Sequence, residues 1–238
     1  MMEFLLLCSF FPGPGASGKA ILMRIVVTGG PSSEPIDGVR LITNQSTGEL
    51  AVLLAREFRI AGNNVELFLG RRSIFRTSSA QFFDTNEDLE RLLKEVANRE
   101  KVHAVLHAAA LADFKVADLL VEGRKQGLAK ISSAATAIQL RLVPKSKLIA
   151  RLRQLFPEAF IVGWKFELDG SPADVVSKGI QQIEKYATNA CIVNGSAFGP
   201  GFGYCDENGL VYSVGSKSEL ADLLLRVIQD GGTPRQKD

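Results

Sequence analysis

The stretch that most constrains this chain is residues 24–61, RIVVTGGPSSEPIDGVRLITNQSTGELAVLLAREFRIA. A short apolar run, Arg24 to Thr28, breaks at Gly29-Gly30. A loop over residues 31–45 then leads to a helix whose apolar face carries Leu50, Leu53, Leu54, Phe58 and Ala61. Ser46, with Glu49 three residues on, predicts a capping box at the helix start. A strand, a glycine turn and a helix N-terminus favour an anion, because unpaired N–H groups and the helix dipole both attract phosphate. A dinucleotide fingerprint is excluded. Its glycines belong at the first, third and sixth positions of a tight turn, where Gly29, Pro31 and Glu34 stand, and this loop is far too long.

The same alternation runs on. Asn64 to Leu69 reads as a second strand ending in the polar turn Gly70-Arg71-Arg72, and Leu89, Leu92, Leu93 and Val96 mark a helix. His103 to Ala110 is a buried strand running into small residues that let a ligand approach the backbone, and His107 within it reads as a core residue. Ala137 to Val143 alternates like a half-exposed strand, Leu148, Leu152 and Leu155 follow on a helix, and Phe160 to Phe166 is a strand. Val176, Ile180 and Ile183 give another helix before Ala190 to Asn194, the last parallel strand. Gly195 to Gly209 is glycine-rich, Leu210 to Val214 reads as an edge strand, and Leu220, Leu223, Leu224 and Val227 form the last helix. Strands alternating with helices predict an α/β fold with an open, mostly parallel sheet.

Composition bounds the partners. With 238 residues, 46% hydrophobic and 23% charged, the chain reads as one globular domain, residues 23–230, large enough to need no staples. A net charge of +2 with dispersed basic residues points to neither nucleic acid nor membrane. Cys8, Cys191 and Cys205 lack metal-ligand spacing and read as reduced thiols, which places the protein in the cytoplasm. Residues 1–22 contain the apolar run Phe4 to Phe11, too short for a bilayer span of roughly 20 residues and without a basic n-region. They read as a loose extension ahead of a start at Met23, and residues 231–238 as a disordered tail.

Thr28-Gly29-Gly30, Glu34, Ile36-Asp37, Val39-Arg40, Ile42-Thr43-Asn44 and Ser46-Thr47-Gly48 fall in register with one long motif. Ala108 to Phe114 and Ala129 to Ser133 supply a second and third. In these the chain resembles the phosphopantothenoylcysteine synthetase family, over nearly everything from Arg24 to Ile228. The resemblance implies a Rossmann-like three-layer fold. It also implies a ligase that activates 4'-phosphopantothenate as an acyl-nucleotide, with CTP or ATP and Mg2+, and condenses it with L-cysteine. Gly29, Gly30, Ser46, Thr47 and Gly48 are then the phosphate cradle, with charge from Arg40 and Lys130 and an amide from Asn44. Ala109, Asp113, Trp164 and Asn194 line the nucleotide site, with Asp113 also beside the metal. A homodimer sharing residues 115–143 is implied, and a separate decarboxylase is a possible partner; no bound flavin is expected.

Each of these residues has a plainer reading. Asp113 alone reads as an N-cap, Lys130 as a surface lysine, Trp164 as core, and Asn44 as a turn asparagine. Pro31, Glu49 and Ala51 depart from the family pattern, and Ala51 adds a methyl one turn into the anion-binding helix. A catalytically silent nucleotide-binding protein is therefore one alternative. An NADP-dependent short-chain reductase is the other, but none of Tyr186, Tyr204 or Tyr212 has lysine four positions on.

Overall fold

A computed structural model describes residues 22–127 and 129–231; the expected loose extension and disordered tail lie outside the described residues, save for their innermost ones. The N-terminal half runs β1 (Arg24–Gly29), β2 (Ser33–Pro35), β3 (Leu41–Thr43), α1 (Glu49–Ile60), β4 (Asn64–Gly70), β5 (Ala80–Phe83), α2 (Asn86–Ala97) and β6 (Ala104–His107). An antiparallel arm of β7 (Phe114–Val121), β8 (Arg124–Gln126) and β9 (Ile138–Pro144) follows. The chain then continues through α3 (Ile149–Leu155), β10 (Phe160–Phe166), α4 (Pro172–Tyr186), β11 (Ala190–Asn194), β12 (Phe202–Asp206), β13 (Gly209–Val214) and α5 (Lys217–Gln229).

Eight strands form the central sheet in the order β5-β4-β1-β6-β10-β11-β12-β13. β5 through β11 are parallel, and β12 and β13 close the far edge antiparallel. Both faces are covered, as a parallel sheet requires. On one face α1 and α5 bury Leu54, Phe58, Leu220 and Leu224 against Ile25, Val27, Leu67 and Leu106. On the other, Leu89 and Leu93 of α2 and Leu152 of α3 cover Val26, Phe68, Val105 and Ile161. α4 covers Cys191, Val193 and Cys205 on that second face. The expected three-layer α/β architecture is what the chain adopts. Strand order reverses between β1 and β6, where open α/β sheets bind ligands beyond the strands' carboxyl ends.

Several local expectations are corrected. Ser46 and Glu49 form no capping box. Gly48 is the N-cap, in the left-handed region at φ 76°, and no side chain caps α1. The first turn is instead fastened from outside, the N–H groups of Ile74 and Phe75 donating to the Thr47 carbonyl. Reciprocal boxes do occur at α2 (Thr85 with Asp88) and α4 (Ser171 with Asp174). The supposed loop over residues 31–45 contains the β2–β3 hairpin. The glycine-rich stretch after Gly195, for which the sequence predicts no element, contains β12, paired with β11.

Ala51 is also explained. Its side chain is buried and aimed at β1: a Cβ placed on Gly29 would lie 2.1 Å from that of Ala51. The methyl therefore fills the strand–helix contact instead of crowding the helix N-terminus. Gly29→Ala is expected to lower stability by about 1–3 kcal/mol through overpacking. Adding Ala51→Gly should recover part of that loss, despite a helix-propensity cost of about 1 kcal/mol. Urea midpoints of the two variants check this; a Gly29→Ala protein as stable as wild type would remove the close approach.

Candidate functional site

Beyond the ends of β1 and β6 the two chains run on together. Ala108 N–H donates to the Thr28 carbonyl, Ala110 N–H to Gly30, and Ser32 N–H back to Ala110. The β2–β3 hairpin is thereby laid against the segment after β6, where Ser32 Oγ accepts from Ala112 N–H at 2.8 Å. Glu34 accepts from Val116 N–H and pairs at 3.0 Å with Lys145, whose ammonium also meets Glu87. At the end of β3, the Asn44 side-chain amide donates to the Ala110 and Leu111 carbonyls, at 3.3 and 2.9 Å. Two carbonyl acceptors fix which way that amide points.

This seam forms one wall of a polar cleft of about 240 Å³. Asn44, Asn86, His107, Ala109 to Asp113, Lys147 to Ile149, Trp164 to Phe166 and Gln182 line it. A larger hollow of about 540 Å³ on the outer side of α4 is open and mostly apolar, away from every motif. Convergent polar groups favour the smaller cleft as the site.

The structure brings Asn44, Ala109, Asp113 and Trp164 together in that cleft. Asp113 is exposed and pairs with Lys147 at 3.1 Å; among the described residues no cluster of three metal-ligating side chains occurs. Trp164 is half-buried, and its Nε1 and the Asn194 Oδ1 on the next strand are buried without a partner. Such atoms mark places where water or a ligand completes the bonding. Asn194 itself is not among the cleft's lining residues.

The expected phosphate cradle lies beside the cleft rather than in its lining. Gly29, Gly30 and Gly48 are buried, Ser46 is half-buried and Thr47 exposed. Gly30 and Gly48 both have positive φ and leave room for Ser73, whose Oγ would lie 1.9 and 2.7 Å from Cβ atoms placed on them. That hydroxyl too is buried without a partner. Glu49, in the first turn of α1, is paired with Lys217.

Arg40 and Lys130, read separately in the sequence, are neighbours. Asp37, buried in the hairpin turn, accepts from the backbone N–H groups of Val39, Arg40 and Ile131 and from the Arg40 guanidinium. Burial opposes its charge, but those donors outweigh it and hold its pKa down to about 2. Lys130, one residue from Ile131, is exposed, and among the described residues no ion pair holds it. Arg40 stands just before β3 and Asn44 just after it, about 13 Å apart along the strand.

Sequence reasoning passed over Lys147, Lys165, Asn86 and Gln182, which become cleft residues only when α2, α3, β10 and α4 converge. His107, read as core, is indeed buried, but it also forms part of the cleft floor, its Nδ1 2.8 Å from Thr28 Oγ1. Burial lowers its pKa from 6.5 to about 4, so it is a neutral imidazole at neutral pH. As pH falls, the unfolded chain takes up this proton first. The stability is therefore complete above about pH 6.5 and is lost toward pH 4. Denaturant midpoints are expected to fall over that window by the equivalent of about 3 kcal/mol. In His107→Asn that slope should flatten; an unchanged slope would assign it to other groups.

Comparison with known proteins places this geometry. Residues 21–229 match the DNA/pantothenate metabolism flavoprotein C-terminal domain. The coenzyme A biosynthesis bifunctional protein CoaBC of Thermococcus kodakarensis is 32% identical over 173 residues, covering 72% of this chain and 41% of that protein. The chain thus spans about two fifths of that relative's length. The DNA/pantothenate metabolism flavoprotein of Streptococcus pneumoniae has the same fold, with a TM-score of 0.77 at 25% identity over 88% of this chain and 99% of that one. The C-terminal domain of a CoaBC protein shares the fold at a TM-score of 0.71 and 19% identity, covering 90% of this chain and 98% of that one. With the first two motifs joined along one seam, the third tied to the first through Asp37, and the match spanning residues 21–229, the chain belongs to the DNA/pantothenate metabolism flavoprotein C-terminal domain family.

Proposed function

We propose that this chain is a phosphopantothenate–cysteine ligase, using CTP or ATP to join 4'-phosphopantothenate to L-cysteine through an acyl-nucleotide. The observation that carries the reading is the pair of hydrogen bonds from Asn44 to the Ala110 and Leu111 carbonyls. They make one wall from two motifs 66 residues apart, at the switch point of the sheet. A neighbour of the same fold has been solved as a complex with phosphopantothenate-cysteine.

The chemistry asks little covalent help of the protein. A carboxylate acylates poorly because its leaving group would be oxide; attack on the nucleotide α-phosphate releases pyrophosphate and provides a good leaving group. The cysteine amine then attacks the acyl carbon and releases the nucleoside monophosphate. What the site must supply is positioning and donors aimed at developing charge. Lys130, exposed and in no ion pair among the described residues, and Arg40, anchored by Asp37, provide cations for phosphate oxygens, and Lys147 and Lys165 bring two more to the cleft. Neutral His107 beside Thr28 offers a hydrogen bond without adding charge. With two N–H bonds already given to the wall, Asn44 has its carbonyl oxygen left to accept from the incoming amine.

Asp113 is the residue that would hold Mg2+, because this ion is commonly bound by one carboxylate plus substrate phosphates. The metal would neutralise charge on the phosphates. No flavin is part of this reading. The β7–β9 arm leaves Phe114, Ile138 and Leu142 exposed, which suits a second copy of the chain, and a separate decarboxylase remains a candidate partner.

The direct test is pyrophosphate release from CTP or ATP, Mg2+ and 4'-phosphopantothenate, followed with and without cysteine. Release that depends on phosphopantothenate, and amide product only with cysteine, is the expected result; no release with any nucleotide sinks the reading. At ~100 times its dissociation constant, the preferred Mg2+-nucleotide should also stabilise the fold by about 2.7 kcal/mol, while NADPH should not. Asn44→Ala should stay folded, release pyrophosphate, accumulate acyl-nucleotide and lose amide formation by roughly 100-fold, by analogy with a lost preorganised group. Product formation at the wild-type rate would leave Asn44 only its role in the wall.

A further inference from the structure

The ligase reading needs Lys130 in a definite place, yet Lys130 is exposed, on a segment outside any helix or strand. What fixes that segment is visible one residue away. Ile131 is fully buried, its N–H donates to Asp37 Oδ2 at 3.1 Å, and its carbonyl accepts from both terminal nitrogens of Arg40 at 3.4 Å. Asp37 Oδ1 meanwhile takes the Val39 and Arg40 N–H groups at 2.8 and 2.7 Å, which shapes the hairpin turn. The two oxygens thus do different jobs. One builds the turn locally; the other reaches 94 residues along the chain to the Ile131 N–H and also holds the Arg40 guanidinium, which itself donates to the Ile131 carbonyl, so that both bonds secure the Lys130–Ile131 segment.

From these contacts, and resting on the ligase reading above, we infer that Asp37 is a positioning residue: its second carboxylate oxygen places Lys130 for the phosphates. Asp37 does not line the cleft and is buried, so it acts through the segment it holds rather than on the substrate. A carboxylate suits this role better than an amide. Both of its oxygens accept, whereas an asparagine could keep the turn through one oxygen but would turn its NH2 toward the Ile131 N–H, donor against donor. Asp37→Asn therefore spares the turn while releasing the segment, together with the Arg40 guanidinium that shares the same oxygen.

The test is a double-mutant cycle on pyrophosphate release in the full chain, with Asp37→Asn and Lys130→Ala alone and combined. Lys130→Ala is expected to lower kcat roughly 100- to 1,000-fold. Asp37→Asn alone should lower kcat at least about tenfold, yet cost at least about threefold less in the Lys130→Ala background, where there is no ammonium left to misplace and only the released Arg40 guanidinium still counts. Amide exchange at Ile131 should lose its protection in Asp37→Asn while the central strands keep theirs. If Asp37→Asn does not fold, Asp37→Glu keeps the charge, shifts the acceptor by one methylene, and carries the same cycle. An equal fold-loss in both backgrounds shows a general structural role and overturns the inference, as does wild-type kcat in the single variant. If Lys130→Ala is crippled and Asp37→Asn is not, the ligase reading stands and only the Asp37 role falls. If Lys130→Ala turns over like wild type, the assigned role of Lys130 fails, and this inference with it.

Discussion

The site depends on the pairing of β1 with β6 continuing past the end of the sheet. Within the strands, parallel registry is enforced by burial on both faces, Ile25 and Val27 toward α1 and Val26 toward α2. Beyond them the bonds Ala108 to Thr28, Ala110 to Gly30 and Ser32 to Ala110 keep two loops together that would otherwise diverge toward opposite halves of the fold. Unpaired backbone groups at that depth would carry a desolvation penalty, so the pairing persists until the chains reach solvent. Every cleft contact made by Asn44 follows from it.

Charge is arranged in two groups on this frame. Around the hairpin, the buried Asp37 carboxylate and the Glu34–Lys145–Glu87 cluster are satisfied internally and serve as fasteners. At the cleft, Lys147 pairs with Asp113 at the surface, whereas Lys165 pairs with the half-buried Glu167, which Lys178 also holds. A surface pair such as Lys147–Asp113 is worth little, so an anionic ligand can exchange for it at small cost. A buried, fully bonded pair could not be borrowed in that way.

The glycines do less phosphate chemistry, and more packing, than a motif reading implies. Gly29 admits Ala51, and Gly30 and Gly48 adopt positive φ and accommodate Ser73 between them. Their absence of side chains brings α1, the β4 loop and the β1 loop within van der Waals contact. The N-terminal end of α1 is thus built by close approach. Gly48 offers no side-chain cap and Glu49 N–H reaches Thr47 Oγ1 at 3.4 Å, so it is the N–H groups after Glu49 that a ligand could meet.

The sequence by itself determined six of the eight sheet strands, all but β5 and β12, and the helices that cover them, because burial on one or both faces writes a period that a linear reading can count. It also placed Asn44, Ala109, Asp113 and Trp164 in one site through their motifs, and the cleft assembles all four. Of the antiparallel arm it read only the β9 strand; Phe114 to Val121 escaped it, exposed at its start, half-buried over most of the rest and without a clean alternation. It misread α1's start, because Gly48 takes the N-cap and the loop before β5 secures the first turn, a contact set by tertiary packing. It could not tell that His107 is both buried and at the cleft floor, since that depends on Gly163 standing beside it on β10. Nor could it join Asp37 to Ile131. A hydrogen bond spanning 94 residues leaves no periodic trace, and only the folded chain brings its two ends within reach.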